Sequence, residues 1–299
     1  MKHKKILPAF ALSMILPATA NAQEILRDSM PQFDLLRTEI TQTGGMDIDG
    51  NPGDLSVTNV ETRVILSRPI ELLDGLSMIP IFSYEFTQLD FDGAAPFPIH
   101  DEDLHSTSLQ SIFIKKFGNS PWRGIGWTRA ELASDHQGIS SEDFTFDIAA
   151  GVGYRFNDSF MLGAGFVVIN LNGDEQIFPG INFDWTPTDN FRFGLFGPNI
   201  RARYTVCDGW FLSLTGTPGG GVWTINDDLD QSRSIDMSSY LVGLNTNHRI
   251  SGNFWLSAGI GYTFNIEIEI RGNRGGGPSF SREMDGAPYA QIALSLREW

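Results

Sequence analysis

The most constraining feature of the sequence is a long run of alternating apolar and polar residues between Asn253 and Arg271. Its even positions are all apolar, and its odd positions are polar or glycine except for Trp255. A period of two predicts a β-strand with one apolar and one polar face. Strands of soluble proteins usually have about five or six residues, whereas a tilted strand that crosses a membrane needs about nine to eleven. The length of this segment therefore favours a membrane-spanning strand.

The same alternation recurs elsewhere in the chain. It extends from Asp143 to Phe156 and resumes at Phe160, after the turn-forming pair Asn157-Asp158. The segments Leu104–Phe117 and Trp122–Asp135 alternate less regularly. Because no segment has a convincing helical period of 3.6 residues, the sequence predicts an all-β fold.

The connections between the predicted strands are of two kinds. Short, turn-like connections are Gly118–Pro121, Asn157-Asp158, Pro187–Asn190, Asp208-Gly209 and Ser251-Gly252. The other set is often longer and rich in Gly, Asp and Pro, and it includes Thr43–Asp54, Asp90–Asp103, Asn226–Ser234 and Gly272–Ser279. The short connections follow even-numbered strands and the long ones follow odd-numbered strands. This parity predicts an antiparallel up-and-down barrel with short turns at one end and long loops at the other.

The predicted number of strands depends on two short pieces. The count is 14 if Phe191–Phe196 and Asn199–Val206 form a hairpin around Gly197-Pro198. It is about 12 if these pieces are too short to span a membrane.

The beginning of the chain has the organisation of a secretory signal peptide. Lysines at positions 2, 4 and 5 precede an apolar run from Ile6 to Leu16, and Ala20-Asn21-Ala22 resembles a cleavage site. We therefore expect residues 1–22 to be removed on export and residues 23–299 to form one barrel domain.

The last predicted strand, Tyr289–Trp299, resembles the C-terminal strand of bacterial outer-membrane barrels, which is amphipathic and ends in an aromatic residue. Trp299 has the opposite parity to the apolar positions Ile292 and Leu294, and a bulge near Arg297-Glu298 would restore it. Aromatic residues also crowd the short-turn end, which predicts a girdle at the membrane interface. They are Phe117, Trp122, Phe156, Phe160, Trp185, Phe191, Trp210 and Phe254.

Together these features make the chain similar to small bacterial outer-membrane β-barrel proteins. The stretches Phe178–Pro187 and Gly197–Tyr204 further resemble a family of such barrels that has no assigned function. The resemblance implies a location in the cell outer membrane, contact with outer-membrane lipid and assembly by the barrel-assembly machinery. It implies no catalytic residues.

The polar faces of the predicted strands carry charges that we expect to point into the lumen. Arg192, Arg201 and Arg203 alternate with apolar residues. The other predicted inward charges are Asp147, Arg155, Asp184, Glu267, Glu269 and Arg271. Charges inside a barrel line a water-filled path or pair across a closed lumen.

The sequence therefore predicts a narrow channel for passive or selective passage of a small solute, which it does not identify. One alternative is a non-conducting structural or adhesive barrel whose acidic loops bind divalent ions or surface lipid. A secreted β-sandwich is a further alternative, because alternation alone permits it.

Composition and motifs exclude other functions. The net charge of −15 argues against nucleic acid as a partner, because phosphates require a basic surface. Asp47, Asp49 and Asp54 present oxygen ligands that suit calcium, but Pro52 stands where a helix-loop calcium motif has glycine, so a solvated acidic loop is the favoured interpretation. Neighbouring histidines and serines match no lipase or protease motif. We expect neither an enzyme nor a cofactor.

Overall fold

The computed structural model describes residues 34–49, 53–92, 101–137, 139, 141–171, 174–226, 232–272 and 279–297. The signal peptide and Trp299 lie outside the described residues, so the statements about them stay predictions. The described residues form β1 (Asp34–Asp47), β2 (Asp54–Ile65), β3 (Ile70–Leu73), β4 (Leu76–Asp92), β5 (Glu102–Lys116), β6 (Trp122–Ser134), the short 3-10 helix Ser141–Asp143, β7 (Phe144–Asn157), β8 (Phe160–Leu171), β9 (Asp174–Thr188), β10 (Phe191–Phe196), β11 (Asn199–Cys207), β12 (Trp210–Asn226), β13 (Ser232–Ser251), β14 (Phe254–Gly272), β15 (Ser279–Met284) and β16 (Ala287–Arg297).

Fourteen of these strands form a closed antiparallel barrel. The order is β1, β2, β4 to β14 and β16, and β16 closes the ring by pairing with β1. The strand β3 is a short hairpin partner of β4, and β15 pairs with the end of β14. The hairpin of β10 and β11 is present, since Phe191 pairs with Tyr204 and Phe196 with Asn199. The predicted barrel is therefore confirmed, with the larger of the two strand counts.

The outer face of the barrel is apolar, as the alternation requires. Ile260 is 69% exposed, Phe146 60% and Leu109 54%. Exposure of so many large apolar side chains to water would be energetically unfavourable. At the short-turn end, ring contacts join Trp122, Tyr154, Phe156, Phe160, Phe183 and Phe193. No helix among the described residues is long and apolar enough to cross a membrane.

At Asn265 the side chains of β14 that point into the barrel change from the odd-numbered to the even-numbered residues. This residue has φ 50°, which asparagine tolerates better than most residues, and the pairing with β13 shifts register beside it. Ile268 beyond it is fully buried and faces inward, so Glu267 and Glu269 lie on the outer face. A bulge of this kind reverses the two faces of a strand. The predicted inward orientation of Glu267, Glu269 and Arg271 was therefore wrong.

At the long-loop end, β12 extends past the end of β11, stays paired with β13 and crosses the barrel to β6. Thr224 pairs with Ser134, and the Trp223 indole N–H donates to Ser106 Oγ at 3.0 Å. The crossing starts at Gly220, whose φ is 97° and whose added Cβ would overlap the Met237 carbonyl. Only glycine adopts this conformation readily.

The crossing of β12 encloses an apolar cluster inside the barrel. The cluster draws its members from β1, β2, β4 to β6 and β12 to β16, or from residues next to them. They are Met46, Ile48, Leu55, Val57, Leu89, Leu104, Ala133, Trp223, Ile225, Ile235, Met237, Ile266, Ile268, Ile270, Met284 and Ala287. This part of the lumen is therefore filled by side chains.

Candidate functional site

The inner face of the barrel has two sides that differ in their access to water. The filled side comprises the inner faces of β2, β4, β5, β12 to β14 and β16, where inward residues such as Ser108, Ser213 and Asn247 are buried. The water-accessible side comprises the inner faces of β8 to β11. None of the residues in these four strands whose burial the structure describes is buried. Water therefore reaches the inner wall on this side.

Glycine occupies many inward positions on and beside the water-accessible side. Gly151 of β7 pairs with Gly165 of β8, and Gly180 of β9 pairs with the same Gly165. Gly194 of β10 is the least crowded: the nearest atoms to an added Cβ are the Phe183 carbonyl oxygen at 3.9 Å and the Arg201 carbonyl oxygen at 4.0 Å. At Gly180 and Gly194 the missing side chain leaves space that a larger residue would fill, whereas Gly165 lies against the backbone of β7.

Two arginines on this wall differ in their partners. Arg192 donates to Asp184 from Nε at 2.9 Å and from Nη2 at 2.6 Å, a bidentate ion pair. Arg201 is exposed, and within the described part of the chain its guanidinium has no hydrogen-bond or ion-pair partner. Its cross-strand neighbours are Gly194 and Thr215, neither of which is charged.

Aromatic rings support the arginines next to Arg201. The Arg203 guanidinium lies 3.8 Å from the centre of the Phe211 ring, a cation–π distance. Arg297 lies 5.1 Å from the same ring and 4.8 Å from Trp255. Arg297 also donates to Asp34 from Nε and to Asn247 from Nη2. The short-turn half of the lumen therefore collects positive charge in a protein whose net charge is −15.

Inward arginines on β2 and β6 are paired with carboxylates. Arg129 donates to Asp147 at 2.8 Å from Nε, and its Nη1 lies 3.4 Å from Glu131. Arg63 Nη2 lies 2.7 Å from Glu61. Asp147 is buried, with 2% of its surface exposed. Its ion pair with Arg129 is stronger because little water screens it. Two arginines here face three carboxylates, so these contacts leave no excess of positive charge.

The structure places six of the predicted lumen residues on the inner face. Arg192, Arg201, Arg203 and Asp184 lie together on the water-accessible side, whereas Asp147 and Arg155 belong to β7. Their role in passage stays a prediction. Sequence reasoning missed Arg129, Glu131 and Phe211, although each has inward parity on its strand. The irregular alternation of β6 concealed the first two.

The predicted calcium ligands are not assembled into a site. Asp47 and Asp54 pair across β1 and β2, while Asp49 lies in the turn, where its N–H donates to the Glu283 carbonyl at 3.3 Å. Among the described residues, no group of three histidine, cysteine or acidic side chains could hold a metal ion. The structure thus does not bring Asp47, Asp49 and Asp54 together as ligands.

A scan of protein families gives a match over residues 41–296, to a domain of unknown function, DUF6268. The chain belongs to this family. No curated protein sequence matches this member of the family.

Solved structures with a similar fold are barrels of low sequence identity. An outer-membrane channel from Pseudomonas putida F1 is 12% identical with a TM-score of 0.45, covering 89% of this chain and 98% of the channel. The NanC porin is 7% identical with a TM-score of 0.35, covering 87% of this chain and 100% of the porin. The toluene transporter TodX of Pseudomonas putida is 10% identical with a TM-score of 0.33, covering 93% and 94%. These likenesses concern the fold alone.

Replacing Asp147 by asparagine is expected to destabilise the folded barrel by about 2 kcal/mol, because Arg129 loses its buried charged acceptor. The control is Asp184→Asn, which breaks an ion pair whose side chains are 28% and 32% exposed and should cost about 1 kcal/mol or less. Equilibrium unfolding in urea with reconstituted protein measures both. Equal losses for the two variants would contradict the assigned difference in burial.

Proposed function

We propose that this member of the family is an integral outer-membrane protein and a narrow channel for passive or selective passage of a small solute. Its path runs along the water-accessible side, between β8 and β11, and not through the centre of the barrel. The observation that carries the proposal is the contrast in burial, since none of the described residues of these strands is buried while the other side is packed.

The chemistry of the wall supports this path. A water-filled passage needs polar or small inward groups and an apolar outward face. The inner wall supplies Gly180, Gly194, Asn182 and the arginines, and the outer face of the same strands supplies Ile181, which is 59% exposed. The filled side narrows the lumen, so the path admits solutes smaller than those that a wide porin passes.

Swelling of proteoliposomes tests the proposal with uncharged solutes. Vesicles that contain the refolded protein are expected to swell in an isosmotic solution of arabinose, and the rate should fall as the sugar is replaced by a disaccharide and then by a trisaccharide. Vesicles with heat-denatured protein are the control.

The result that contradicts the proposal is the absence of swelling by any of these sugars in vesicles shown to hold folded barrel. The shift in electrophoretic mobility between unheated and heated samples reports folding independently. In that case the non-conducting structural or adhesive barrel becomes the better account.

A further inference from the structure

We propose that Arg201 and Arg203 form a site for a small anion, so that the solute carries a carboxylate or phosphate group. The inference rests on the proposed function for the solute's passage, but the binding site itself can be tested without conduction. It names a ligand class that neither the fold nor the family assigns.

Arg201 differs from most of the inward arginines because it has no ion-pair partner among the described residues. Five of the inward arginines each have a carboxylate partner, namely Arg37, Arg63, Arg129, Arg192 and Arg297. Within the described residues Arg201 has none, and it is exposed to the lumen. A guanidinium has five N–H donors in a planar fork that matches carboxylate and phosphate oxygens. Arg201 therefore presents a complete set of donors to the path.

There is space in front of the Arg201 donors because its neighbour on β10 is a glycine. Gly194 lies directly opposite Arg201 on β10, and no atom is closer than 3.9 Å to a Cβ added there. On the other side Arg201 faces Thr215. The missing side chain at Gly194 leaves room for a ligand in front of the guanidinium, and a small polar residue borders it.

Further positive charge lies beside this space, on Arg203 and Arg192. Arg203 is two residues further along the same face of β11, and Phe211 holds it at a cation–π distance of 3.8 Å. Arg203 pairs across the strands with Arg192, whose carboxylate partner is Asp184. Among described side chains, Asp184 is the one carboxylate on the inner faces of β8 to β11. Three arginines against one aspartate give this wall a positive potential that attracts anions.

Binding is tested on the detergent-refolded protein by isothermal titration calorimetry with inorganic phosphate and with citrate. Wild-type protein is expected to bind at least one of these anions, and Arg201→Glu should weaken binding by about tenfold or more, the usual value of a charge-assisted hydrogen bond. Arg201→Lys should retain part of the affinity because it keeps the charge and loses the fork.

The matched control is Lys115→Glu, which makes the same change in charge at a partly exposed residue whose Nζ donates to the Asp74 carbonyl at 2.6 Å. Its anion affinity should equal that of the wild type. Equal affinity of wild type and Arg201→Glu for both anions, or no binding by folded wild type, overturns the proposal.

The reversal potential in a KCl gradient separates this inference from the proposed function. A preference for chloride that Arg201→Glu lowers or reverses supports the anion site. A conducting channel with cation preference in both proteins overturns the anion site and leaves the channel standing. Anion binding that depends on Arg201 in a protein without conductance supports the site and contradicts the channel.

Discussion

Replacement of Gly194 by tryptophan is expected to reduce the single-channel conductance to less than about half, because the ring enters the proposed path from the inner face of β10. The backbone accommodates the substitution, since the nearest atom to the added Cβ is 3.9 Å away. The new side chain then lies opposite Arg201 and takes the space in front of it. Conductance in a planar bilayer measures the effect.

The control for this variant is Leu195→Trp. Leu195 is the next residue of β10 and pairs with Phe183 and Ile200 on the outer face, so its tryptophan would contact lipid. Conductance should stay at the wild-type value. If Gly194→Trp conducts as well as Leu195→Trp, the path does not follow β10.

Replacement of Trp223 by alanine is expected to lower the free energy of unfolding by about 3–5 kcal/mol, the usual cost of deleting a buried large aromatic side chain. Trp223 is 2% exposed and its indole N–H donates to Ser106 at 3.0 Å. The loss of the ring also loosens the contact of β12 with β6, so the filled side should become permeable and the conductance should rise.

Two further variants separate the contributions of Trp223. Trp223→Phe keeps an apolar ring without the donor and should cost about 1–3 kcal/mol, mainly for the unsatisfied Ser106 hydroxyl and the smaller ring. Trp122→Ala removes a ring that is 48% exposed and should leave the conductance unchanged. Urea unfolding and bilayer recording are made on the same preparations. An unchanged conductance in Trp223→Ala would show that the cluster does not close the filled side.

The barrel itself could be predicted because its constraint is local. Side chains along a β-strand alternate between its two faces, so each strand can be recognised from its own residues. The short and long connections alternate along the chain, so each strand is expected to pair with the next one. The bounds of β7, Phe144–Asn157, differ from the predicted segment Asp143–Phe156 by one residue at each end. The bounds of β6, Trp122–Ser134, differ from the predicted Trp122–Asp135 by one residue at the end.

The interior could be predicted only in part. Alternation assigned Arg192, Arg201 and Arg203 to the inner face because the pairing of β10 with β11 is regular at these residues. It failed at Glu267 and Glu269, since Asn265 reverses the strand while the residues that then face inward, such as Ile268, are also apolar. The apolar series looked continuous because the membrane outside and the cluster inside select the same residue types.

The crossing of β12 could not be predicted from the two-residue alternation of apolar and polar residues. It brings Thr224 next to Ser134, residues of strands that are not neighbours in the barrel. The run Pro218–Gly221 was the available sign, since glycines within a strand mark a bend or a close approach. The direction of the bend depends on the apolar surface that Trp223 buries, which is a tertiary property.

The single-channel current of the refolded protein in a planar bilayer, with heat-denatured protein as the control, decides whether the barrel conducts. We expect discrete, reproducible current steps of a narrow channel, because water reaches the inner wall of β8 to β11. A bilayer that stays silent although the inserted protein is shown to be a folded barrel would contradict this expectation.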